Sequence, residues 1–395
     1  MDFKLRINKS TLLEYIAVIL ILLSSNAVFY YQTITPAISI IILFLFAIYF
    51  SVKHKIKNNN IKISVIYLLC LIILILFSYT FHSKLSDNQI IGIPLQAIST
   101  LLIIGNFNFN RFKNIILNVV FIISLLTLLL YLSIVFGVLS PYVKNGFTML
   151  GPLVYGWEGY SFGRFSSIYH EPGAYQIILN TVLILHINEI AHFINLSNKT
   201  KIKIIILIVA LLLTKSTGGY LTLIIILFSI FYKQIFSKYF IPAITFIIVS
   251  SFFIWNSDVV QKKINPSEGT VSVSLEQRTL DNLGMLKMIS EEPLTGYGLG
   301  SADYLKRSLE LGNTTNSNGI LFMCASIGIF WIFIFISFMY YSIKKMNINA
   351  LIPLIMLSYI LLQCNERFVE FPISYIFIYP FASYTIFNVK NKQHI

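Results

Sequence analysis

Charged residues are scarce in this chain of 395 residues, since Asp, Glu, Lys and Arg together make up only 11% of it. Hydrophobic residues make up 56%, and the mean hydropathy is +0.78. This composition excludes an ordinary soluble domain and a disordered chain. Several apolar runs reach or approach the roughly 20 residues that cross a bilayer. We therefore expect an all-α, polytopic membrane protein with a single transmembrane domain over residues 1–395.

Cysteine is also scarce, and the usual motifs of metal and nucleophile chemistry are missing. The three cysteines lie in apolar stretches without metal-ligand spacing, which excludes a disulfide scaffold. His170-Glu171 does not begin a zinc-binding HExxH motif, because residue 174 is alanine. No Gly-x-Ser-x-Gly motif occurs, and the glycines at 296, 298 and 300 lack a βαβ context. We expect neither a metal nor another cofactor.

About twelve apolar segments are predicted to span the membrane. The first contains Glu14 and lacks a small-residue cleavage site, so we expect a retained helix rather than a signal peptide. The predicted segments are 11–31, 34–52, 63–81, 90–105, 115–136, 173–194, 202–214, 217–232, 239–256, 318–343, 350–363 and 371–388.

The basic residues indicate the orientation, because Lys and Arg concentrate in cytoplasmic loops. With the N-terminus inside, 18 of the 29 basic residues but only three acidic residues fall on the cytoplasmic side. That side then carries +15 and the opposite side −2. The net charge of +13 is thus explained by topology and predicts no nucleic-acid partner. We expect a multi-pass membrane protein with both termini in the cytoplasm.

Two large loops lie on the predicted outer side, over residues 137–172 and 257–317, and connections of this length usually carry function. The second loop is predicted to be partly helical. Apolar periodicity predicts one helix from Ser274 to about Ser290 and another from Ser301 to Leu311, which Gly312 ends.

Two short predicted helices end in cations on the outer side. From Lys201 to Lys215 the helix is about 21 Å long, shorter than the roughly 30 Å hydrocarbon core. The span at 350–363 is also short and is followed by Arg367. Because charges at membrane depth favour wet cavities or partners, we expect a water-filled cavity open to the outside. The alternative is that Lys215 snorkels and that Arg367 pairs with a nearby glutamate.

The first outer loop combines aromatic residues, glycines and charges over residues 155–176. Aromatic faces suit sugar rings, although an interfacial aromatic belt is the alternative. Glu171-Pro172 stands at the start of a span, where Glu171 is either a functional carboxylate or a helix-start residue stabilised by the helix dipole. Outer cations from four parts of the chain suit the binding of phosphate oxygens. These cations are Arg164, Lys215, Arg278 and Arg367.

The order of these motifs resembles the bacterial O-antigen and capsule repeat-unit polymerases (Wzy-type), which are related to O-antigen ligases. The resemblance covers the chain from the fifth span to its end. Ligases usually carry a His-Asn pair before the tenth span, whereas this chain has Ser317-Asn318 there. The motifs are Arg164…Glu171-Pro172, residues 214–219 (TKSTGG), residues 293–298 (PLTGYG) and residues 316–319 (NSNG).

The resemblance implies a GT-C-like helical fold and a metal-independent glycosyltransferase that acts on undecaprenyl-diphosphate-linked oligosaccharides. A hydroxyl of the acceptor would attack the anomeric carbon of the donor, and the lipid diphosphate would leave with inversion. We assign Glu171, or else His170, as the general base. We assign Arg164 and Arg278 to the catalytic stabilisation of the leaving diphosphate. Substrate binding is assigned to Lys215, Arg367, Tyr169, Asn318 and Tyr297.

Two other functions stay open at this point. An O-antigen ligase would use the same donor with a lipid A core acceptor. A lipid-linked oligosaccharide flippase would be a non-enzyme, for which two similar halves and charges spread through the spans are expected. The expected partners are the donor and acceptor oligosaccharide lipids, membrane lipid and a chain-length regulator protein.

Overall fold

A computed structural model describes residues 9–27, 36–54, 61–82, 87–140, 142–144, 147–150, 153–157, 164–235, 245, 273–312, 317–348 and 350–381. Most of these residues are helical. The first half contains α1 (Lys9–Leu23), α2 (Pro36–His54), α3 (Ile61–Phe81), α4 (Asp87–Ile104), α5 (Phe109–Val135), β1 (Tyr142–Lys144), β2 (Phe147–Leu150), β3 (Leu153–Trp157), α6 (Pro172–Leu185) and α7 (Ile187–Ala191). The second half contains α8 (Asn198–Leu213), α9 (Thr217–Ile235), α10 (Val273–Glu291), α11 (Ala302–Glu310), α12 (Gly319–Ile327), α13 (Phe330–Lys345) and α14 (Ile352–Asn365), with 3-10 helices at Phe193–Asn195 and Pro372–Phe377.

Within the described residues, α2, α3 and α5 are long and apolar enough to cross a membrane. Their exposed sides are apolar: Leu45 is 60% exposed and Ile73 is 61% exposed, as expected of faces that contact lipid rather than water. Shorter apolar helices lie at Ser10–Leu23, Ile90–Ile104, Pro172–Leu185, Thr217–Tyr232 and Ile352–Asn365. Apart from residue 245, the predicted span 239–256 lies outside the described residues, and so does the end of the span 371–388, beyond residue 381.

Helix α6 lies at the centre of the bundle. Every residue from Gly173 to Leu185 is buried, and the helix packs against α5, α8, α9 and α14. Three polar residues on it are fully buried: Gln176, Asn180 and Thr181. Because α6 is enclosed on all sides, the residues just before it are held at the junction of several helices.

The predicted tenth span, 318–343, is not one helix. It breaks at Gly328, whose φ of 88° ends α12 before α13 begins. The turn after α10 fits into this break, where Ile329 donates to the carbonyl of Pro293 at 2.8 Å and Tyr297 donates to that of Ala325 at 2.8 Å. A side chain at residue 328 would overlap the Leu294 carbonyl. Apolar periodicity missed the break because glycine is tolerated within apolar runs.

The first outer loop contains strands that the all-α prediction did not include. β1, β2 and β3 form an antiparallel sheet in that order, with Thr148 opposite both Val143 and Gly156. Valine, threonine and aromatic residues favour strands, and the short hairpin connections suit antiparallel pairing. The described fold is therefore predominantly helical with one small sheet.

The two helices predicted in the second outer loop are confirmed. α10 covers Val273–Glu291 and α11 covers Ala302–Glu310. Ser301 caps α11 by accepting a hydrogen bond from the amide of Tyr304 at 2.8 Å, and Gly312 follows the helix with a φ of 76°. These local signals were sufficient because they act within a few residues of the helix ends.

Residues predicted to share the cytoplasmic side contact one another at one end of the bundle. Arg111 pairs with Glu14, and Lys113 pairs with Glu189. The amine of Lys203 also hydrogen-bonds to Asn118. The residues assigned to the outer side meet at the other end, as described next.

Candidate functional site

Glu171 and Glu366 form the centre of a cluster at the end of the bundle that is predicted to face outward. Glu171 occupies the N-cap position of α6, but its side chain makes no capping hydrogen bond. Its Oε1 instead lies 2.9 Å from Nε2 of His170, and its carboxyl is hydrogen-bonded to that of Glu366. The contacts of Glu171 are therefore those of a site residue rather than of a capping residue.

Glu366 follows the last residue of α14, and its side chain is only 11% exposed. The carboxyl packs directly over Gly173 in the first turn of α6, where any Cβ would overlap it. A second glycine, Gly218 in α9, gives the same kind of room to Asn365. The glycines after Glu171 and in the TKSTGG segment thus bring α14 close enough for two carboxyls to meet.

Arg278 attaches the second outer loop to this carboxyl pair. It donates from Nη2 to Oε1 of Glu366 at 2.8 Å and from Nη1 to the backbone carbonyl of Asn365 at 3.0 Å. Arg278 belongs to α10, and its side chain is 39% exposed. Two parallel hydrogen bonds to adjacent acceptors use the planar fork of arginine.

Arg164 lies at the C-terminal end of α8. It donates from Nε to the carbonyl of Thr214 at 3.3 Å and from Nη2 to the carbonyl of Lys215 at 3.4 Å. These contacts cap the C-terminus of α8, where a cation is favourable. Burial and the charge of Arg278 lower the pKa of Arg164, whereas Glu171 and Glu366 raise it. Arg164 is therefore within electrostatic range of both carboxyls and of Arg278.

The two carboxyls have opposite pKa shifts. Burial disfavours the charge on Glu171, but the hydrogen bond and charge of His170, with smaller effects of Glu366 and Arg278, lower its pKa to about 2. Burial and the negative charge of Glu171 raise the pKa of Glu366, and Arg278 only partly offsets them. Close carboxyls cannot both ionise easily. The pair therefore favours an ionised Glu171 and a protonated Glu366.

The other two predicted phosphate-binding cations are placed differently. Lys215 is exposed, adopts a φ of 49° and offers its carbonyl to Arg164. Arg367 pairs with Glu370 at 2.8 Å and lies over the ring of Phe322 at 3.5 Å from its centroid. The alternative in which Arg367 pairs with a nearby glutamate is thus the observed one, and Arg367 is held by protein groups.

Two predicted substrate-binding residues have structural contacts. Tyr169 is 1% exposed, and its hydroxyl donates to the carbonyl of Leu22 at 3.4 Å, so it lies in the core rather than at a sugar-binding surface. Asn318 caps α12 by accepting from the amide of Leu321 at 3.1 Å. Cap residues are common at such positions.

Tyr297 lies away from the carboxyl pair, in a separate open cavity. Its hydroxyl donates to Oε2 of Glu291 at 2.7 Å, and its ring stacks on that of His82 with centroids 6.0 Å apart. The cavity is lined by His82, Tyr297, Asp303, Lys306, Arg307 and Glu310.

Glu366 was not assigned to the site from sequence. It follows a short span and lies between Asn365 and Arg367. This pattern indicates the polar end of a helix, but it does not indicate which residue Glu366 contacts. Its role depends on Gly173 and Arg278, which are distant in the sequence. In the part of the chain that the structure describes, no group of three or more His, Cys, Asp and Glu residues could hold a metal ion.

Comparisons of the chain with protein-family models, with curated proteins and with solved structures found no match.

Proposed function

We propose that this protein is a repeat-unit polymerase that joins oligosaccharides carried on undecaprenyl diphosphate at the outer face of the bacterial inner membrane. The observation that carries the proposal is the meeting of Glu171, Glu366, Arg164 and Arg278 at one end of the helical bundle. These residues come from four separate segments. The cluster contains a carboxylate that can accept a proton and arginines that can stabilise a diphosphate. The proposed glycosyl transfer requires both kinds of group.

The charge of the cluster suits a diphosphate. Two arginines face a carboxyl pair in which only Glu171 favours its ionised form, so the carboxyls do not fully cancel the positive charge of the arginines. Arg278 is fixed by its bonds to Glu366 and Asn365, and Arg164 by two carbonyls at the end of α8. Such preorganised cations stabilise the charge that develops on the leaving diphosphate. In this proposal the exposed Lys215 has a supporting role. Arg367 does not contact the phosphates, because it is paired with Glu370.

Glu171 is the base in this mechanism. It stays ionised at neutral pH, with His170 and Glu366 orienting its carboxylate. The acceptor hydroxyl attacks the anomeric carbon of the donor, its proton passes to Glu171, and the bond to the lipid diphosphate breaks. A weak base is sufficient because glycosyl transfer proceeds through a carbocation-like transition state, in which the attacking hydroxyl becomes more acidic. Attack opposite to the leaving group inverts the anomeric configuration.

The test is extension of a purified lipid-linked repeat unit by the purified protein in detergent or vesicles. Polymerase activity gives a ladder of products that differ by one repeat unit, with an inverted linkage detected by NMR. A ligase would give no ladder and would transfer a single repeat unit to lipid A core when the core is supplied. Transport of the lipid-linked repeat across vesicles without any new glycosidic bond would instead indicate a flippase and contradict the proposal.

A further inference from the structure

Three polar side chains form a chain of hydrogen bonds where α1, α5 and α8 meet, at the end of the bundle predicted to face the cytoplasm. Nδ2 of Asn118 on α5 donates to the hydroxyl of Tyr15 on α1 at 2.9 Å. The amine of Lys203 on α8 donates to Oδ1 of the same amide. Because α5 packs against both α1 and α8, this one amide fixes a phenol and an ammonium from two other helices. We call these three residues the inner seam.

The charge of the inner seam is not balanced as it is in the neighbouring ion pairs. The two ion pairs at the same end of the bundle each join one cation to one carboxylate. Lys203 instead bonds to a neutral amide, and its amine lies over the ring of Phe121 at 5.9 Å from the centroid. Within the described part of the chain, no carboxylate pairs with Lys203. Since an ammonium at the margin of the hydrocarbon is costly without a counter-charge, an anion from outside the chain would stabilise Lys203.

The inner seam also has hydrogen-bond donors for such an anion. A lysine ammonium has three N–H donors, and a tyrosine hydroxyl has one O–H donor. Lys203 gives one N–H to Asn118, and the hydroxyl of Tyr15 accepts from Asn118, so further donors remain on both groups. All three side chains are partly exposed. Because the phenol and the ammonium are bonded to one amide, both can reach one phosphate group, whose oxygens accept several hydrogen bonds.

A second lysine adds positive charge beside the inner seam. Lys199 is exposed and precedes Lys203 by four residues on α8, a spacing that puts two side chains on the same face of a helix. The nearby Lys201 donates to the carbonyl of Ile194 at 2.8 Å, so it is held by the backbone of the preceding loop. The start of α8 therefore offers a surplus of cations to an anion at the inner seam.

The surfaces that continue from the inner seam toward the middle of the membrane are apolar. On α5, the face that begins at Asn118 continues through Ile122 and Leu126, which are half-exposed. On α8, Ile202 and Ile205 are also half-exposed. In a bilayer such faces contact acyl chains. A ligand with a phosphate at one end and acyl chains at the other would therefore match both the polar and the apolar part of this surface.

We propose that the inner seam binds the phosphate of an anionic phospholipid, whose acyl chains lie along the exposed apolar faces of α5 and α8. The charge determines the class of lipid. Phosphatidylglycerol carries a net negative charge that offsets Lys203, whereas the phosphate of phosphatidylcholine is already offset by its own choline. This proposal does not depend on the reaction that the protein catalyses at the other end of the bundle.

The test is native mass spectrometry of the purified protein in a neutral detergent, titrated with phosphatidylglycerol. The wild-type protein is expected to retain one phosphatidylglycerol in preference to phosphatidylcholine with the same acyl chains. Lys203→Gln should weaken the binding of phosphatidylglycerol by about 10- to 100-fold, because a charge-assisted hydrogen bond is lost. Tyr15→Phe removes only the hydroxyl and should weaken it by about two- to tenfold.

Lys345→Gln is the matched control. Lys345 is exposed at the cytoplasmic end of α13, where its amine lies over the ring of Tyr341 at 5.5 Å from the centroid. The control therefore makes the same change of charge on a helix that is not part of the inner seam. Thermal unfolding in detergent shows whether each variant is folded. If Lys203→Gln does not fold, Tyr15→Phe decides the outcome, because it keeps the aromatic ring in place.

Weaker binding of phosphatidylglycerol to the seam variants, with wild-type affinity in Lys345→Gln, supports the site. Wild-type affinity in the folded seam variants overturns it. Equal weakening by Lys203→Gln and Lys345→Gln also overturns it, because the lipid would then respond only to the net positive charge of this end of the bundle. Displacement of the lipid by an equal concentration of inorganic phosphate would indicate a site for a free anion and overturn the assignment to a lipid.

Discussion

Arg278 and Glu366 are 88 residues apart in the sequence, yet Nη2 of the arginine lies 2.8 Å from Oε1 of the glutamate. The contact joins α10 in the second outer loop to the end of α14. It also places a cation beside the carboxyl pair, because Glu366 is hydrogen-bonded to Glu171. This relationship makes the second loop part of the site.

Glu171→Gln is expected to lower the rate of polymerisation by about 10²- to 10⁴-fold, because glutamine cannot accept the proton of the acceptor hydroxyl. Loss of a helix cap would not explain this effect, since Glu171 makes no capping hydrogen bond. The measurement is the product ladder from a purified lipid-linked repeat. Glu292→Gln is the control on an exposed glutamate of the same outer side. A normal ladder from Glu171→Gln would move the base role to His170.

Arg278→Lys is expected to restore little of the activity lost in Arg278→Ala. Lysine cannot donate at once to Glu366 and to the carbonyl of Asn365, which are 2.8 and 3.0 Å from two different nitrogens of Arg278. Loss of a charge-assisted hydrogen bond corresponds to about 10- to 100-fold in rate. Arg111→Lys, at the other end of the bundle, is the control. Equal rates for Arg278→Lys and wild type would show that the two simultaneous hydrogen bonds of the Arg278 guanidinium are not needed for activity.

Glu366 is expected to make the protein less stable as the pH rises. Its folded-state pKa is raised above an unfolded value of about 4.3, so the folded state binds more protons in the window between the two. Stability from this group is therefore present at low pH and is lost as the pH rises through the folded pKa. Glu366→Gln mimics the protonated carboxyl and should flatten this decline.

The measurement is thermal unfolding of the purified protein at several pH values from about 4 upward, because the window begins at the unfolded pKa. Glu366→Gln should also retain more polymerisation than Glu366→Ala, which removes the hydrogen bond to Glu171. Identical pH dependence in wild type and Glu366→Gln would show that Glu366 does not hold the shared proton.

Gly173→Ala is expected to disrupt the site although alanine suits a helix. Its Cβ would overlap the carboxyl of Glu366, and overpacking of this kind costs about 1–3 kcal/mol. We expect loss of the ladder and a lower unfolding temperature. Gly92→Ala is the control, because its Cβ would meet Ile40 at an ordinary contact distance of 3.4 Å. Full activity of Gly173→Ala would show that the glutamate can move without consequence.

The two ends of the bundle are expected to face opposite sides of the membrane. Single cysteines replace Ile194, which is 87% exposed, and Leu309, which is 69% exposed, in a protein whose three native cysteines are replaced by alanine. An impermeant thiol reagent applied to intact spheroplasts should label position 309 and leave position 194 unlabelled until the membrane is opened. The reverse pattern would place the carboxyl pair in the cytoplasm and contradict the proposed function.

Local signals in the sequence determined much of the helical architecture. Long apolar runs predicted α2, α3 and α5 because crossing a bilayer requires length and hydrophobicity, which are visible without contacts. Ser301, Pro172 and Gly312 marked helix ends because caps act over one turn. The break at Gly328 was missed because it depends on a turn that packs there from another part of the chain.

The sequence also predicted that Glu171, Arg164 and Arg278 share one side of the membrane, because the distribution of charge along the chain separates two sides. Only the tertiary structure decided which of these residues meet. Glu366 joins the site because Gly173 leaves space for its carboxyl. Arg367 pairs with Glu370, and Tyr169 is buried in the core. The physical reason is that the partners of a side chain depend on how the helices pack. Local periodicity in the sequence does not specify the distances between segments that are far apart in the chain.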